Sequence, residues 1–135
     1  MSRIINQDGP GKERKLLSRA IVIAIRKLAE QDEFNFETQD LLAFIILSLD
    51  SITKTVERTV YVWEKRDYWL KADRFRLDWS WSENCSIELK KAYKGKDIIG
   101  ITTTIAKIGQ KLSKVKVSDR NRMGAPWKGC RGLLE

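Results

Sequence analysis

Apolar positions recur at helical intervals in three parts of the chain and run unbroken in a fourth. Leu17, Ala20, Ile21, Ala24 and Leu28 step by three and four, with Lys15, Arg19 and Arg26 on another face. That pattern predicts an amphipathic helix opening just after Pro10. The polar residues Gln31-Asp32-Glu33 and Asn35 end it and offer caps for the next helix. A second helix is predicted from about Glu37 into the Val60–Glu64 region, with Asp50 and Lys54 as an i,i+4 pair. Its opening run, Leu41–Leu49, is apolar nearly all round, which marks a buried central helix or a subunit interface.

Tyr68, Ala72, Phe75 and Trp79 are spaced 4, 3 and 4 and form a third helical stripe, with Asp67–Lys71 and Arg74–Asp78 as ion pairs on other faces. An unbroken helix from Glu37 to Tyr93 would be a rod of roughly 85 Å at ~1.5 Å per residue, too long for a domain of this size. A reversal is therefore expected near Glu64–Tyr68. Ser80 and Glu83 fit a capping box, so a second break is expected as an option at Ser80–Asn84.

Residues 97–116 carry two opposed signals. The β-branched run Ile98, Ile99, Ile101–Ile105 favours a strand. Ile98, Ile101, Ile105, Ile108, Leu112 and Val115, however, keep a helical seam over five intervals. The seam decides for helix, with Gly100 and Gly109 allowing close packing on a neighbour.

Helix breakers support the same class. After Gly9-Pro10-Gly11 neither glycine nor proline recurs until Gly95, 83 residues without a breaker, whereas a sandwich or barrel needs turns far more often. The expected fold is all-α: a compact bundle of four to five helices with a basic, largely irregular C-terminal tail. Residues 1–10 form an N-terminal arm, 11–116 the helical bundle and 117–135 the tail. A chain of 135 residues suits one domain with one core.

Composition narrows the chemistry. The chain holds no histidine, which removes Ser-His-Asp and Cys-His catalysis, His-ligated metals and imidazole switches. Two cysteines, Cys85 and Cys130, are too few for a disulfide scaffold or a four-thiolate site. The N-terminus shows no apolar run of signal-peptide length, and nine apolar residues at 41–49 are under half of the ~20 that span a bilayer. The expectation is a cytoplasmic protein with reduced thiols and no membrane association.

Charge supplies a location. Lys and Arg total 26 against 18 Asp and Glu, a net +8. Residues 107–135 hold eight basic and two acidic side chains, +6, and the preceding 106 residues only +2. Lys107, Lys111 and Lys114 step by 4 and 3 into a ridge about 120° around the helix from the apolar seam. Lys116, Arg120, Arg122, Lys128 and Arg131 prolong it. Such a ridge suits a phosphate backbone without base reading; its plainer alternative is a solvated helix face.

Two aromatic features add candidate contacts. Rings and cations alternate from Tyr61 to Trp81, as in single-strand binders, but the spacing of Tyr68, Phe75 and Trp79 favours a core role. Trp69 lies off that stripe and is the candidate exposed ring. Trp127, in a flexible basic context, either folds back onto the bundle or docks in a partner. Glu57, Glu64 and Asp67 offer a carboxylate cluster better read as an acidic face than a metal site. The chain carries no P-loop, no G-x-G-x-x-G and no G-x-S-x-G.

The functional expectation is a non-enzymatic helical accessory subunit, without cofactor or metal, that contacts nucleic-acid phosphates through its basic C-terminal region. The competing expectation is a protein-interaction or oligomerisation module, motivated by Leu41–Leu49 and five tryptophans.

Overall fold

A computed structural model describes residues 2–118 and 123–134, with side chains from residue 9 onward. Four α-helices and one terminal 3-10 turn make up the described chain: α1 (Ser2–Leu28), α2 (Phe36–Lys65), α3 (Trp69–Lys94), α4 (Ile98–Lys111) and η1 (Cys130–Leu134). α1 is bent at Gly9, whose φ of 74° suits glycine, so the part of the helix packed on the bundle opens at Pro10. Proline fits there because a first-turn N–H needs no helical partner.

α2 is the central element, about 45 Å long at ~1.5 Å per residue. Asn35 caps it, its side-chain oxygen accepting from the Thr38 N–H at 2.9 Å. Leu41, Leu42, Ile45, Ile46, Leu49 and Ile52 have no exposed surface, so the apolar run is the core itself. α1 and α3 each pack on α2, α4 packs mainly on α3, and η1 packs on α2.

The reversal near Glu64–Tyr68 is present. The Tyr68 N–H donates to the Trp63 carbonyl at 2.8 Å and the Asp67 N–H to that of Glu64 at 3.0 Å. Asp67 holds the left-handed conformation (φ 63°) that this closure demands. The α3–α4 turn repeats the device with Lys96 (φ 53°), the Asp97 N–H reaching the Ala92 carbonyl at 2.9 Å. Asp97 then caps α4 through the Gly100 N–H.

Three local expectations are corrected. α3 does not break at Ser80–Asn84: the Ser80 and Ser82 hydroxyls donate back to the Leu77 and Trp79 carbonyls, so they sit within a continuous helix. α4 ends at Lys111, with Leu112 as its C-cap, so Val115 packs from the following segment. Of the two glycines credited with close packing, a Cβ on Gly100 would crowd the Asp97 carboxylate and Ala92, whereas Gly109 faces open space.

The C-terminal stretch is not seen as a tail. Trp127 is only 3 % exposed, edge-on to Phe44 with ring centroids 6.4 Å apart, and Cys130 is buried. The chain ends in the turn η1 against α2. Burying one tryptophan contributes roughly 3–5 kcal/mol, enough to hold a short segment down.

Candidate nucleic-acid interface

The predicted basic ridge is only partly assembled. Lys107 stands on α4 but its ammonium lies 3.0 Å from Glu88 of α3, which raises the lysine's pKa and offsets its charge. Lys111 is exposed in the last turn of α4, whereas Lys114 follows the helix end and so is not on the helical ridge. Lys114, Lys116 and Lys128 are exposed, and none is paired with an acidic side chain among the described residues. Arg120 and Arg122 lie outside the described residues.

Arg131 does something different. Its guanidinium donates to both Asp40 carboxylate oxygens, at 3.2 and 3.1 Å, while its backbone N–H donates to Oδ1 at 3.0 Å. Burial pushes the Asp40 carboxyl up, but the Arg131 and Gly129 N–H groups and the guanidinium reverse that and hold it below the usual carboxylate value. Arg131 also lies over the Phe36 ring at 4.1 Å. It is a structural lock for the C-terminal segment.

Trp127, for which two roles were open, is the buried anchor of that segment. Trp69 is 56 % exposed, next to Leu70 at 72 %, at the corner where α2 meets α3. Tyr68 is exposed beside it, and Tyr61 and Val62 are exposed toward the end of α2, so this part of the chain carries the apolar surface that Leu41–Leu49 does not. Glu57 and Glu64 share one cation, Arg76, at 3.6 and 3.0 Å, which accounts for two of the three carboxylates singled out above. Asp50 accepts from the Ser86 hydroxyl, a tie between α2 and α3.

Two described stretches between α4 and η1 come near α1. Arg26 donates to the Val117 carbonyl at 3.3 Å. Met123 and Pro126 line a cleft with Leu16, Arg19, Ala20 and Ile23 of α1. The described residues 112–118 and 123–134, here called the strap, thus lie partly beside α1, the second stretch pinned by Trp127 and Asp40.

That placement exposes a signal that grouping the charge by sequence end obscured. Divided at the strap, residues 1–28 carry seven basic and two acidic side chains, 29–111 thirteen and fourteen, and 112–135 six and two. The central three-fifths of the chain is net −1, and both terminal segments are strongly positive. Lys12, Lys15 and Arg19 are exposed cations on α1, outside the C-terminal set.

Among the described residues no three His, Cys, Asp or Glu side chains are grouped to hold a metal ion, and no helix is long and apolar enough to cross a membrane. No protein-family model, curated protein or solved structure matches the chain.

Proposed function

We propose that the protein is a non-catalytic helical accessory subunit that contacts polynucleotide phosphates through its basic C-terminal segment. The observation that carries this reading is the state of the C-terminal cations. Lys114, Lys116 and Lys128 are exposed after α4, and Lys128 stands within the stretch anchored by Trp127 and by the Asp40–Arg131 pair. Lysines on a fixed segment attract phosphates without reading bases, and the attraction is screened by salt. Cys85 and Cys130 are unbridged thiols.

Fluorescence anisotropy with a labelled oligonucleotide tests it. Binding is expected at ~50 mM salt, with affinity falling steeply as salt rises, and the Lys114→Gln, Lys116→Gln, Lys128→Gln variant binds more weakly. No binding at ~50 mM salt would sink the reading.

The exposed Tyr61, Val62, Tyr68, Trp69 and Leu70 favour a second reading, a protein-interaction or oligomerisation module. It predicts a mass that rises with concentration and a Trp69→Ala, Leu70→Ala variant that stays monomeric. A concentration-independent monomer counts against self-association.

A further inference from the structure

We infer that the polynucleotide surface is composite, with the outer face of α1 forming its second half beside the strap. The inference rests on the polynucleotide reading above and extends it to residues some 100 positions away in sequence.

Lys12, Lys15, Arg19 and Arg26 follow each other at intervals of 3, 4 and 7, which places them on one helical face. From Lys12 to Arg26 that face runs about 21 Å at ~1.5 Å per residue. One nucleic-acid strand presents a phosphate about every 3.4 Å of duplex axis, so the stripe can follow about six phosphates. The only acidic side chain between Gly9 and Leu28 is Glu13, and Arg58 of α2 pairs with it. Arg14 turns inward, over the Phe75 ring at 4.8 Å and toward Thr55 at 3.2 Å, and leaves the outer face to the other cations.

The strap supplies the other row. It is tied to α1 where Arg26 donates to the Val117 carbonyl, next to Lys116, and Met123 and Pro126 share a cleft with Leu16, Ala20 and Ile23 of α1. Gathered this way, the described parts of α1 from Gly9 and of the strap carry ten basic side chains and one acidic. Two cationic segments side by side select a backbone rather than a single anion, because a row of point charges gains from each phosphate in register. Folding thus brings the two positively charged ends together and sets them apart from a body that is net −1.

The test measures the slope of log affinity against log salt for duplex and single-stranded oligonucleotides. Six cations, Lys12, Lys15, Arg19, Lys114, Lys116 and Lys128, give an expected duplex slope of about −5 at ~0.9 per neutralised phosphate. The α1 variant Lys12→Gln, Lys15→Gln, Arg19→Gln should reduce the slope by about 2.7. Lys90→Gln, Lys91→Gln, Lys94→Gln removes the same charge from α3 and should leave the slope unchanged. Thermal melts check that each variant folds, and Lys15→Gln alone, with a slope change of about 0.9, replaces any triple variant that does not.

If the wild-type protein binds, the strap variant lowers the slope and the α1 variant does not, the composite surface is overturned while the C-terminal reading stands. If the α1 and α3 variants lower it equally, only net charge matters and the inference fails. If the wild type binds no oligonucleotide but binds anionic lipid vesicles, both readings fall.

Discussion

Trp127→Ala is the perturbation that separates a docked strap from a solvated tail. The ring is 3 % exposed against Phe44. A buried tryptophan removes about 150–250 Å² from water, which at ~25 cal/mol per Å² is about 4–6 kcal/mol as an upper bound. Measured truncations of this kind cost about 3–5 kcal/mol. A chain of 135 residues unfolds with about 0.28 kcal/mol/K of entropy, so 3–4 kcal/mol lowers Tm by about 10–14 °C. Calorimetry reads this loss, and thiol labelling locates it. The Cys130 thiol is pushed up by burial, its Sγ near the Pro126 carbonyl, and reacts slowly while the strap is docked. In the variant Cys130 should label several-fold faster, whereas Cys85, a buried residue of α3 whose thiol is pushed up by that burial, stays slow. Net charge is unchanged, so a drop in polynucleotide affinity in this variant reports geometry alone. A Tm within about 2 °C of wild type with unaltered Cys130 labelling would refute the reasoning.

The Asp40–Arg131 lock gives a pH dependence. Because the folded carboxyl sits below its unfolded value of about 3.9, its contribution is fully present above that pH and is lost as pH falls through the lowered folded value. The Tm difference between wild type and Asp40→Asn should hold constant above about pH 5 and shrink toward pH 2; a difference vanishing already at pH 6 contradicts it. The two α4 glycines should respond with opposite signs. Gly109→Ala, with open space around it, gains up to about 1 kcal/mol of helix propensity. Gly100→Ala forces its Cβ against the Asp97 cap and Ala92 and loses about 1–3 kcal/mol, and denaturant midpoints decide both.

The helices were readable because periodicity and caps agree with packing: Pro10, Asn35 and the seam through Ile101 and Ile108 stand where their chemistry puts them. The optional break in α3 does not form: Ser80 and Glu83 have the spacing of a capping box, but the Ser80 and Ser82 hydroxyls bond their own helix instead. Turn residues were partly hidden, since Asp67 and Lys96 rather than glycine occupy the left-handed positions. The site was legible only in half. Lys116 and Lys128 follow from a count along the sequence, but the fate of Arg131 depends on Asp40, 91 positions away. That α1 and the strap lie side by side depends on the folded path of the chain, which no local pattern encodes.

Lysine footprinting of the wild-type protein, with and without bound duplex, tests the composite cationic surface most directly. Acetylation at low reagent, read by mass spectrometry, should show Lys15 of α1 protected together with Lys116 and Lys128 of the strap. Lys91 and Lys94 of α3 should label as in the free protein. Protection confined to the strap, or spread equally over α3, would contradict the account.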